Sequence, residues 1–194
     1  MNKNNIKNTA AFPKAEDAEF TEARAGYEAL LGGFLSIQLG TANQAGVPEA
    51  SYSPSVADEE GNFYVHVSEL ASHTSNLRDC ARASVLIIED ESTAENLFAR
   101  KRVAYQCSAL LIERHSNEWE SVVGKFEEKF GKIIGFLKTM EDFHLFKLTP
   151  KSGRLVLGFG QAYDVCGSGM KDLSHVGAGS GKNGTQGHRK EAKK

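Results

Sequence analysis

The sequence has too few cysteines, and too little net charge, for several large classes of protein. Its three cysteines, Cys80, Cys107 and Cys166, are odd in number and far apart. That pattern excludes a disulfide framework and reads as reduced thiols in a cytoplasmic protein. A formal net charge of −2 provides no basic surface for general nucleic-acid binding, so no nucleic-acid partner is expected. No stretch approaches the roughly 20 apolar residues of a membrane span. The opening MNKNNIKNTAAFPKAEDAEF is polar throughout, without the apolar run of a secretory signal, so no membrane partner is expected either. A G-x-G-x-x-G turn after a strand, a Walker motif, C-x-x-C and H-E-x-x-H are all missing. Internal repeats are missing too.

What is present is an ordinary globular composition. Of 194 residues, 40% are hydrophobic and 25% charged, enough for one domain with a proper core and too few for two. Residues 1–15 are rich in Asn and Lys without periodicity and read as a flexible arm. Phe20, Ala23, Tyr27, Leu30 and Leu31 recur at helical spacing and predict a helix ending at Gly32-Gly33. FLSIQLGT, ASYSPSV, FYVHVS, SVLIIED and RVAYQCSALLIER alternate or are rich in β-branched residues, as strands are. ELASHTSNLRDC predicts a short helix, and residues 117–140 a longer one broken near Gly131. DFHLFKLTP, GRLVLGF and QAYDV predict the closing strands. The reading is six or seven strands in short antiparallel connections with helices outside them, a closed or partly closed small barrel. The folded domain is placed at residues 16–166. Residues 167–194, with seven glycines and few apolar side chains, are placed outside the core as a flexible carboxyl-terminal arm.

Six histidines are candidates for chemistry: His66, His73, His115, His144, His175 and His188. No two stand at i,i+4 on one helix with an acid nearby, so a preformed zinc site is not signalled. His66 and His144 lie in strands and read as structural or surface residues. His73 sits at a helix start among Ser68, Ser72, Thr74 and Asn76. Such a start binds anions well, and the same residues are equally what simple helix capping uses. In ARKR, alternation places Arg100 and Arg102 on one strand face and Lys101 on the other. The pair reads either as a carboxylate or phosphate clamp or as a charged strand edge that discourages aggregation. The tail GSGKNGTQGHRKEAKK carries His188 into a run of cations.

SYSPSV, SELASHTSNL, IIEDE, LFARKR, EKFGKIIGFLKTMEDFHLFKL, GFGQAYDV and GHRK occur in that order. Together they resemble the HugZ/HutZ haem-utilisation family of the FMN-binding split-barrel superfamily, which includes the pyridoxamine-phosphate oxidases. The resemblance runs from about residue 33 to residue 190. It implies a mainly β fold with peripheral helices, an antiparallel Greek-key split barrel that forms a homodimer. It further implies haem b bound between protomers and opened to a bilin with O2 and an electron donor. By position it makes His188 the axial iron ligand, with His175 the alternative in a tail longer and richer in glycine than the family's. It places Arg102 and His73 beside the haem and Asp142 against the axial histidine. Ser36 falls where a hydroxyl can meet that aspartate across the dimer. FMN is the alternative cofactor; flavin-binding relatives carry Lys or Arg three residues before the asparagine of the helix-start motif, where this chain has His73 before Asn76.

Overall fold

The computed structural model describes residues 15–176. Helix α1 (Ala15–Gly33) leads into strands β1 (Ser36–Ala42), β2 (Pro48–Ala57) and β3 (Phe63–Ser68). Helix α2 (Ser72–Cys80) and strands β4 (Arg82–Ile88) and β5 (Arg102–Ile112) follow, then α3 (Asn117–Phe130) and α4 (Ile133–Leu137). Strands β6 (Phe143–Gly158), β7 (Gln161–Cys166) and β8 (Asp172–His175) complete the described chain. All pairings are antiparallel, in the order β3-β2-β1-β4-β5-β6-β7-β8, and β3 also pairs with β6. That extra pairing closes six strands into a barrel and removes its open edges. Among the described residues, no helix is long and apolar enough to cross a membrane.

The alternation seen in the sequence is what fills the barrel. Ile37 and Leu39 point inward and are buried, while Ser36 and Gln38 are exposed. Val65, Val85, Val103, Phe146, Leu148 and Leu155 meet them in one interior cluster. Gly153 is required there: a Cβ would stand 2.8 Å from the Tyr105 ring. A second cluster lies outside the barrel, beneath α3. Ser116 caps that helix by accepting from the Trp119 amide at 3.2 Å. Trp119, Val122, Val123 and Phe126 then fall on one helical face and bury against Tyr64 and Leu145.

Helices close the two barrel ends. At one, α2 inserts Leu77 into the core, and Asn76 donates to Thr41 near the end of β1 at 3.0 Å. At the other, Tyr27 of α1 shares a 2.6 Å hydrogen bond with Tyr105 and donates to the Met170 carbonyl at 3.0 Å.

Two sequence expectations are corrected. The segments DFHLFKLTP and GRLVLGF are one continuous strand of 16 residues. The long partner β5 runs beside both halves, and a register shift between Gln106 and Cys107 accommodates the stretch around Pro150. The folded domain also continues past residue 166. Met170 is buried in the core, and β8 pairs with β7 from Cys166↔Asp172 to Tyr163↔His175. A glycine-rich composition concealed this, because one methionine anchor and backbone pairing suffice to hold ten residues. The arms at 1–14 and 177–194, His188 included, lie outside the described residues.

Candidate functional site

The predicted site residues within the described chain divide between the two barrel ends. Asp142 stands just before β6, at the end closed by α2. Its Oδ2 accepts a 2.8 Å hydrogen bond from Ser68 Oγ, and its carbonyl accepts from the Glu69 amide at 2.8 Å. His73, in the first turn of α2, is buried and shares a 2.9 Å hydrogen bond with Ser51 Oγ through Nδ1. Burial pushes its pKa below the ordinary imidazole value, with nearby Glu49 acting in the opposite sense.

The helix start at His73 already contains an anion. Glu49 accepts from Ser72 Oγ at 2.5 Å through Oε1 and from Asn76 Nδ2 at 3.1 Å through Oε2. Of the two readings open at the sequence level, capping is not met, since the N-cap is Ala71 and makes no side-chain hydrogen bond; the Ser72 hydroxyl and the Asn76 amide hold a carboxylate of the chain instead. Glu49 went unremarked in the sequence, because it lies 23 positions before Ser72 and only barrel closure brings them together.

Ser36 and Arg102 begin β1 and β5 at the opposite end. Five residues of strand separate Ser36 from Thr41, on which α2 rests, a span of roughly 17 Å. Ser36 lines a groove of about 580 Å³ with Phe34, Leu35, Ile87, Arg100 and Lys101. Arg102 is half-buried and donates one N–H to the Arg100 carbonyl at 2.8 Å. Of the two readings of Arg100 and Arg102, the clamp does not form. Arg100 precedes the strand, and its guanidinium holds Glu91 at 2.7 Å and the Glu89 carbonyl.

His175 is engaged on both sides of its ring. Nε2 lies 3.0 Å from the Gly160 carbonyl and Nδ1 3.1 Å from the Val176 carbonyl, with Tyr163 packed edge-on. Offering a lone pair to a metal means breaking one of these contacts.

His66 is a buried structural histidine of an unusual kind. It is 8% exposed, neither ring nitrogen has a partner among the described residues, and Phe143 and Phe126 pack against it. Burial, then the charges of Arg114 and His144, push its pKa down to about 4. The folded state therefore excludes a proton that the unfolded chain binds near pH 6.5. This contribution to stability is complete above pH 6.5 and is lost as pH falls toward 4. Urea denaturation at pH 7 and pH 5 is expected to show a loss of about 2 kcal/mol that His66→Phe removes. An identical pH difference in the variant contradicts the assignment.

Comparison with known proteins places these features in context. The family described as pyridoxamine 5'-phosphate oxidase matches residues 24–157. The chain is similar to the protein named heme oxygenase HutZ of Vibrio cholerae, 41% identical over 155 residues that cover 80% of this chain and 83% of that one. A crystal structure of Vibrio cholerae HutZ, described there as a heme storage protein, superposes with a TM-score of 0.66 at 35% identity, covering 70% of this chain and 96% of that one. Campylobacter jejuni ChuZ superposes with a TM-score of 0.73 at 32% identity, covering 87% of this chain and 68% of that one.

Proposed function

The chain belongs to the HugZ/HutZ-type haem-utilisation proteins of the pyridoxamine 5'-phosphate oxidase-like split-barrel superfamily, and from that premise we propose that it binds haem b and degrades it oxidatively to a bilin, releasing iron. The observation that carries the reading is Asp142, a carboxylate held in place by Ser68 with its other oxygen unpartnered among the described residues. The chemistry of the described residues fits the group. The groove beside Ser36 has an apolar lining from Phe34, Leu35 and Ile87 that suits a flat apolar ring, and a mixed rim in which Lys101 can pair with an acidic edge beside the carboxylates of Glu89 and Asp90.

Haem, when bound and reduced, supplies an iron that takes O2 and a ring carbon that is oxidised. The chain supplies the rest. In this reading His188 offers a neutral imidazole to the iron. The N–H of that ring donates a hydrogen bond to Asp142, which fixes the tautomer and raises the ring's basicity. Arg102 has guanidinium N–H groups beyond the one held by the Arg100 carbonyl. These donate to developing negative charge or to a propionate. His175 is the poorer candidate ligand, because both of its nitrogens face backbone carbonyls.

A homodimer belongs to the same reading. Arg102 and Ser36 occupy one barrel end and Asp142 and His73 the other, so one copy holds two half-sites. A two-fold axis sets the first half-site of one copy against the second half-site of its partner. FMN is the weaker reading. Where a flavin phosphate would seek a cation, the chain presents the His73 imidazole, whose charged form burial disfavours, and the Glu49 carboxylate, and like charges repel.

Aerobic incubation of the haem complex with ascorbate tests the degradation. The Soret band is expected to disappear while bilin absorbance and chelatable iron rise together. A Soret band that persists with no iron released identifies a haem carrier instead.

A further inference from the structure

We propose that Ser68 is a positioning residue for this chemistry: its hydroxyl locks the Asp142 carboxylate so that one oxygen alone faces the iron-bound imidazole. The inference rests on the proposed pairing of Asp142 with the axial histidine and adds to it the group that sets the carboxylate's angle.

Hydrogen-bond direction follows from the donors present. Ser68 Oγ accepts from the Leu70 amide at 3.2 Å, so its own proton is directed to Asp142 Oδ2 at 2.8 Å. An ionised carboxylate only accepts, which makes the assignment consistent from both sides. The serine is itself held. Its carbonyl accepts from Thr74 Oγ1 at 2.6 Å and from the Ala71 amide at 3.2 Å. Ser68 pairs with Phe143 on the final rung between β3 and β6, and the Glu69 amide donates to the Asp142 carbonyl. Both residues are thus fixed to the same corner of the barrel, one by its side chain and one by its backbone. Rotation of the carboxylate is the freedom that remains, and the Ser68 hydroxyl removes it. Asp142 is half-buried, and its second oxygen has no partner among the described residues. That oxygen is the one left to accept an imidazole N–H.

The test uses the full-length haem complex and its ferrous iron–histidine stretching band, measured by resonance Raman. Ser68→Ala is expected to bind haem within about twofold of the wild type. Its band should move part of the way toward that of Asp142→Asn and broaden, and turnover should fall about 5–10-fold, at or below the lower end of the ~10–100-fold range for losing an outer partner of a metal ligand, because Ser68 acts through Asp142. Ser68→Cys retains the volume and loses the strong donor, so it guards against a merely structural defect and should move the band in the same way. Ser68→Thr keeps the hydroxyl and should retain the wild-type band. The double variant Ser68→Ala/Asp142→Asn should match Asp142→Asn alone. If Asp142→Asn moves the band and neither Ser68→Ala nor Ser68→Cys does, the role of Ser68 is overturned while the Asp142 pairing stands. If Asp142→Asn itself leaves the band unmoved, the pairing fails and the inference about Ser68 fails with it.

Discussion

Replacing His188 with alanine is expected to abolish the histidine-ligated haem spectrum and to lower haem affinity by more than about 100-fold. Loss of an outer-shell partner alone typically costs 10–100-fold, and removing the ligand itself should exceed that. Imidazole added to the solution should restore much of the spectrum, because it supplies the missing donor without restoring the tail. His175→Ala should leave the spectrum intact, as each of its ring nitrogens lies against a backbone carbonyl, of Gly160 or Val176, and only one of them can donate in the neutral ring. If His175→Ala proves the damaging change and His188→Ala is silent, the ligand is the histidine of β8 and the carboxyl-terminal arm has another role.

The second large effect concerns the two barrel ends. Asp142→Asn and Arg102→Leu are each expected to reduce haem turnover strongly as pure homodimers. Co-expressed and mixed at random, the two variant chains should recover about a quarter of wild-type turnover. Half of the dimers are then mixed, and one of the two sites in each mixed dimer contains neither lesion. Recovery requires that every site take Asp142 from one copy and Arg102 from the other. If each site were built within a single chain, mixing would restore nothing, since every chain carries a lesion. Separation on the barrel favours the composite arrangement: α2, next to Asp142, rests on Thr41, whereas Ser36 opens the same strand five residues away. Mixed samples that stay as inactive as the separate variants would rule out a site shared between copies.

Parts of this architecture are written in local sequence. Helix α3 is one such part. Its serine cap, its apolar residues at positions 119, 122, 123 and 126, and the glycine that ends it are neighbours along the chain. Strand β1 is another, since alternation alone separates inward Ile37 and Leu39 from outward Ser36 and Gln38. Local signals failed where a distant partner decided the outcome. The continuity of β6 through Pro150 depends on β5. Arg100 has the spacing of a clamp residue, yet the acidic turn at Glu89–Glu91 captures it. The order of residues 167–176 comes from a buried methionine and a free edge of β7.

The residues proposed for the site, Asp142, Arg102, His73 and His188, were named from segments that resemble a known family, taken in order along the chain. Their grouping was not legible there. Ser68 and Asp142 are 74 positions apart, and Glu49 and Asn76 are 27 apart. Periodicity reports which face of an element is apolar, because that depends on neighbours three or four residues away. A hydrogen bond between distant elements depends instead on strand register and barrel closure. Those arise only when the whole chain packs, and they determined that Asp142 is held by Ser68 and that Arg102 and Ser36 stand at the other end of the barrel.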